Sequence, residues 1–318
     1  MSDRVDIKRV GIFVALAFAL AWAIGLIIFL NGGLVNSPIV VPALNLSLAT
    51  VLLAVGYMWA PALAHVLTRL LTREGWQETW LRPQFRRGWR YWLLAWVTPA
   101  VVTIVGAVIF FALLPRFYDS DLTVVRRLLA QNAQTAAMNP WLIVAAQVVS
   151  AMLIAPPING LFTFGEEFGW RAYLLPKLLP LGERRAMLVS GVIWGVWHWP
   201  VIAMGHNYGF GYFGAPWTGM LLMVWFTFTA GCFLAWATLR AGSVWPAVIG
   251  HGAINGISAL ALLFVQGQPS SLLGPAPVGL LGGLGWAILA AWIWRRSGGK
   301  RRSEILAPLP SESPTSDL

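Results

Sequence analysis

Eight stretches of about twenty mostly apolar residues follow one another along this chain, at roughly 10–30, 45–67, 91–114, 141–164, 186–204, 217–239, 244–265 and 277–294. Each matches the length an α-helix needs to cross the hydrocarbon core of a bilayer. Charged residues make up only 11% of the 318 positions and hydrophobic residues 58%, against about 25% charged in soluble domains. A chain with so few polar side chains cannot cover its apolar surface in water. The pattern predicts an all-α polytopic membrane protein with about eight transmembrane helices. Residues 1–296 form a single transmembrane domain, and 297–318 form a basic, then Ser- and Pro-rich tail that reads as disordered.

The fourth run is the least regular, because Pro156, Pro157 and Gly160 interrupt it. A break there is expected, with a second helix carrying the residues that follow. The segment 72–92 mixes Arg with Trp and Phe and is expected to lie partly in the interface. A short surface helix is expected around Leu122 to Gln131 in the loop 115–140.

The net charge of +10 is not spread evenly. With the N-terminus inside, the inner segments carry nineteen basic residues, and the outer loops carry only Arg116, Arg126 and Arg127. This asymmetry orients a membrane protein with both termini cytoplasmic, and it predicts a multi-pass protein of the cell membrane. It assigns the excess charge to topology and anionic lipid rather than to nucleic acid. Many of the nineteen tryptophans sit near the ends of the runs, where they anchor to the interface. The one cysteine, Cys232, excludes an intrachain disulfide and a cysteine-rich metal cluster.

Against this background two adjacent carboxylates, Glu166 and Glu167, stand out in TFGEEFGWRAYLLP. Ionisable groups near membrane depth line cavities, pair with cations or do chemistry. On a helix, Glu167 and Arg171 are four apart and share a face, so Arg171 can hold Glu167 ionised while Glu166 projects elsewhere. His198 lies in GVIWGVWHWPVI, beside Trp194, Trp197 and Trp199. His251 and Asn255 lie one turn apart in VIGHGAINGIS, among glycines that permit close helix approach. Taken singly, each motif also suits a structural role: an ion pair, a packing histidine, an interhelical hydrogen bond. His65, His206 and Cys232 read as structural, and Asn159 as either a cap or a polar lining residue.

Together, a carboxylate, a histidine and a His/Asn donor pair are the parts of peptide hydrolysis: a general base, a second water ligand and an oxyanion site. The same residues leave a metal open, with Glu166, His198 and His251 as ligands of a divalent ion such as zinc. The chain has no H-E-x-x-H helix, G-x-S-x-G elbow or P-loop.

Three ordered motifs resemble those of the CPBP family of intramembrane proteases, the bacterial relatives of the type II CAAX prenyl endopeptidase and of the Abi proteins. They are Glu166-Glu167-Phe168-Gly169-Trp170-Arg171 with its continuation to Pro176, the aromatic Trp194 three residues ahead of Trp197-His198, and His251 with Asn255. The resemblance spans about 140–265, the expected protease core. Trp194 stands where the family usually shows Phe, and Ala172 where many members have Gly. The resemblance implies a conical cavity open to the cytoplasm, in which Glu166 and His198 activate water, His251 and Asn255 stabilise the oxyanion, and Glu167 and Arg171 support the site. The expected partners are the bilayer and a membrane protein or peptide substrate. A non-catalytic immunity or scaffold protein, or a transporter, is the competing reading.

Overall fold

The computed structural model describes residues 4–298 and is almost entirely helical. Ten helical segments position the site: α1 (Ile7–Leu30), α2 (Leu48–Leu71), α3 (Phe85–Leu113), α4 (Thr123–Ala130), α5 (Pro140–Leu181), α6 (Glu183–Trp197), α7 (Trp199–Ala203), α8 (Trp217–Ala241), α9 (Trp245–Ile257) and α10 (Leu284–Arg296). A two-strand antiparallel hairpin, Ile39–Val41 with Leu46–Ser47, joins α1 to α2. The tail expected at 297–318 lies, from residue 299 onward, outside the described residues.

Among the described residues, six helices are long and apolar enough to cross a membrane: α1, α2, α3, α5, α8, and α9 with its continuation to Phe264. This corrects the expected count of eight. The apolar run at 186–204 is not one helix, because Pro200 brings no amide N–H and α6 ends at Trp197. The run at 277–294 becomes helical only from Leu284, after a turn segment rich in Gly and Pro. Hydropathy records composition; it does not record where the backbone stops winding.

The fourth run departs from expectation in the other direction. The helix does not break at Pro156 and Pro157 but continues for 42 residues to Leu181. A π-helical turn at Ser150–Ile154 lies just ahead of the prolines, and a second at Trp170–Leu174 follows the glutamates. The wider turn absorbs the hydrogen bonds that proline cannot make. A third π-turn, Leu53–Tyr57, interrupts α2 where it packs against α1.

The solvent this surface suits is hydrocarbon. Leu153, Leu161, Leu221 and Ile288 are all more than 60% exposed, an apolar belt that a water-soluble monomer would not carry. Inside, Trp170, Trp197 and Trp286 are fully buried, with Phe13, Phe110, Tyr173 and Cys232. Helices in lipid gain little from hiding apolar area, so close van der Waals packing and polar contacts hold them together. Gly169 shows how close the approach is: a methyl group there would sit 2.4 Å from Cβ of Pro61 in α2. A methyl group at Gly252 in α9 would lie 2.5 Å from the Pro156 carbonyl oxygen.

At one end of the bundle Glu74 ties three segments together. It accepts from the Tyr173 hydroxyl at 3.0 Å and from the Lys177 ammonium, and it pairs with Arg9 at 3.5 Å and Arg69 at 3.6 Å. The expected interfacial segment 72–92 is partly non-helical, with Arg73, Glu78, Trp80 and Gln84 at positive φ, before α3 starts at Phe85.

Candidate active site

Helix α5 meets α9 along a stripe of side chains spaced four residues apart, one helical face by geometry. Asn159 donates to the Gly252 carbonyl at 3.0 Å, and Thr163 to the Val248 carbonyl at 2.9 Å. Glu167 accepts from His251 Nδ1 at 2.8 Å. One turn further, Arg171 Nη1 donates to the same Glu167 oxygen at 3.1 Å. Each side chain on this stripe thus makes at least one polar contact, as hydrocarbon surroundings require, although Glu167 Oε2 and Arg171 Nε are buried without a hydrogen-bond partner. Asn159 is an interhelical clamp, and Thr163 belongs to the site's scaffold although sequence reasoning passed over it.

The two glutamates diverge. Glu167 is fully buried and is held by Arg171 and His251. Glu166, also buried, turns to α6, where Trp194 Nε1 donates to its Oε2 at 2.7 Å. Arg171 adds a second contact to α6, its guanidinium lying 4.2 Å from the Trp194 ring centroid, a cation–π arrangement.

Trp194 also organises the histidines. Its carbonyl accepts from His198 Nδ1 at 2.7 Å, and its ring meets those of His198 and His251 edge-on at centroid distances of 5.7 and 5.3 Å. With Nδ1 of His198 on a carbonyl and Nδ1 of His251 on a carboxylate, Nδ1 carries the proton in both rings. Nε2 is the nitrogen each has left for chemistry.

His198 sits at the break between α6 and α7. There the Trp197 carbonyl accepts from the Tyr57 hydroxyl at 2.7 Å and from Trp22 Nε1 at 3.2 Å, and the Tyr57 ring packs on Trp197. Tyr57 reaches this point from the π-turn of α2. Asn255, one turn beyond His251, is exposed.

His65 has a structural environment. It is buried, its Nδ1 pairs with the Phe168 carbonyl at 2.9 Å, and its Nε2 accepts from Arg69 at 2.6 Å.

A metal held by Glu166, His198 and His251 does not fit this arrangement. Among the described residues no three His, Cys, Asp or Glu side chains are grouped to hold an ion. The Trp194 indole occupies one Glu166 oxygen and packs against both imidazoles.

The fold and these contacts define a class, a polytopic helical membrane protein with a buried carboxylate–histidine site. Residues 139–257, which hold all the site residues on α5, α6 and α9, match the family model described as Type II CAAX prenyl endopeptidase Rce1-like. A domain of the CAAX-protease family therefore occupies this part of the chain. No curated protein matches the chain.

Proposed function

We propose that the chain is an intramembrane endopeptidase that hydrolyses peptide bonds of membrane-associated proteins or peptides by activated water. The observation that carries this reading is the separation of the two glutamates. Glu167 is committed to Arg171 and His251, whereas Glu166 meets a single neutral donor, Trp194. A carboxylate oriented by one hydrogen bond keeps lone pairs for a water molecule, as a general base must.

In this mechanism Glu166 removes a proton from water, which Nε2 of His198 helps to position. The oxygen attacks the scissile carbonyl carbon. The resulting oxyanion accepts hydrogen bonds from Nε2 of His251, when both its ring nitrogens are protonated, and from the Asn255 amide. Glu167 is the counter-charge for that imidazole, and Arg171 balances Glu167. The tetrahedral species collapses as Glu166 returns its proton to the leaving nitrogen. No step passes through a metal.

The length of α5 supports a site near the cytoplasmic surface. At about 1.5 Å per residue, Glu166 lies some 39 Å along the helix from Pro140, further than the roughly 30 Å of a hydrocarbon core. With both termini cytoplasmic, that depth brings Glu166 to where water enters.

The test is cleavage of a library of membrane-tethered quenched peptides by the purified protein in liposomes, beside His198→Ala. Cleavage that His198→Ala abolishes is expected. Cleavage unchanged by that substitution would remove the assigned site, and no cleavage of any tethered substrate would favour a scaffold protein.

A further inference from the structure

Where α1 begins and α2 ends, Asp6, Lys8, Arg9, Leu71, Thr72 and Arg73 line a cavity of about 320 Å³. It shares no residue with the carboxylate–histidine site. Its cations are unequal. Arg9 is committed, with Asp6 at 3.1 Å, the Thr72 hydroxyl at 3.1 Å and Glu74 at 3.5 Å. Asp6 is spent on Arg9 and on capping the first turn of α1. Lys8 and Arg73 are exposed, and neither has a carboxylate partner among the described residues. Among the described residues, the cavity thus keeps two positive charges without a carboxylate partner.

Its backbone is fixed rather than loose. Arg73 stands at φ +49° just past the end of α2, held by its amide on the Leu70 carbonyl and by the Glu74 amide on the Arg69 carbonyl. This is the left-handed geometry that closes helix ends. Beside the cations, Ile7 is 79% exposed and Leu71 67%. In a membrane-spanning chain, free cations next to exposed aliphatic side chains mark the level where headgroup meets acyl chain.

We propose that this cavity binds the phosphate of an anionic phospholipid, with Lys8 and Arg73 as its charge contacts and Ile7 and Leu71 against the acyl chains. Juxtamembrane Lys and Arg side chains attract anionic lipid in this way. A free phosphate shares the headgroup's charge chemistry but lacks the chains, so the two sources can be separated.

The experiment measures lipid retention by native mass spectrometry and thermal unfolding of the full chain in detergent. The probes are phosphatidylglycerol, phosphatidylcholine of the same acyl length, and inorganic phosphate. Wild type should retain phosphatidylglycerol over phosphatidylcholine, and Lys8→Gln/Arg73→Gln should weaken that binding about thirtyfold. The charge-preserving pair Lys8→Arg/Arg73→Lys should keep it. Three results would overturn the proposal: equal retention of both lipids by wild type, undiminished phosphatidylglycerol binding by the Gln pair, or stabilisation by inorganic phosphate equal to that by phosphatidylglycerol. None of these readouts depends on peptide cleavage, so this test and that of the hydrolase reading fail independently.

Discussion

The indole N–H of Trp194 donates to Glu166 across 2.7 Å, and the same residue's carbonyl fixes the proton of His198 on Nδ1. One residue of α6 therefore sets the rotamer of the proposed base and the tautomer of its histidine partner. Trp194→Phe keeps an aromatic ring and the carbonyl but removes the donor. A hydrogen bond to a charged group contributes about 1.5–3 kcal/mol, so kcat should fall roughly ten- to a hundredfold while the protein stays folded. Steady-state cleavage beside thermal unfolding checks this. An unchanged kcat would mean that the indole N–H does not position Glu166.

Glu167 and Arg171 should behave as one unit. Both are almost completely inaccessible, at 0% and 1% exposure. Removing one partner leaves the other charge buried and uncompensated, which typically costs 3–5 kcal/mol. Glu167→Ala should therefore unfold at markedly lower temperature. Glu167→Gln/Arg171→Met, which removes both charges, should recover most of that stability without activity, because His251 has lost its counter-charge. A double-mutant cycle measures the coupling.

The Glu74 knot predicts an acid-sensitive fold. Burial raises the Glu74 carboxyl, but the Lys177 hydrogen bond and charge, the Tyr173 hydroxyl and Arg69 outweigh it, so the group titrates below its ordinary value of 4.5. A carboxyl depressed in the folded state stabilises in full above its ordinary value and loses that contribution as pH falls through the folded one. Wild type should thus lose stability below about pH 4.5 more steeply than Glu74→Gln. That variant should already be less stable at pH 7, by roughly 3 °C in Tm. Parallel acid profiles would contradict the assignment.

Gly169 tests the packing that brings α2 against the glutamate helix. A methyl group there meets Pro61 backbone and ring atoms at 2.4–2.7 Å, and proline has little freedom to yield. Gly169→Ala should cost about 1–3 kcal/mol, in the range of overpacked cores, and displace Glu166 enough to lower activity. Unfolding in detergent and cleavage rates would show both effects.

The parts of this molecule that were legible in the sequence are those set within one segment. The apolar runs gave the helical membrane class, and the four-residue spacing gave the Glu167–Arg171 pair, because both follow from a single helix's periodicity. What crosses between helices was not legible. His251 was paired in expectation with Asn255 as a donor, yet it spends Nδ1 on Glu167. That choice depends on the rotation and depth of α9 against α5, which the Gly252 contact with Pro156 helps to fix. The continuity of α5 through Pro156 and Pro157 was hidden for another reason: a π-turn has no composition of its own. The end of α6 at Trp197 and the start of α10 at Leu284 were masked by hydropathy, although Pro200 and the glycines before Leu284 were visible in the chain.

The central claim is that Glu166 activates the attacking water, and Glu166→Gln tests it most directly. Glutamine preserves the shape and still accepts from Trp194 Nε1, so the fold should persist, as its Tm in liposomes would report. Cleavage of a tethered peptide that wild type hydrolyses should drop by about two to four orders of magnitude, the usual contribution of a general base. A folded Glu166→Gln protein that cleaves within a few-fold of the wild-type rate would contradict the account.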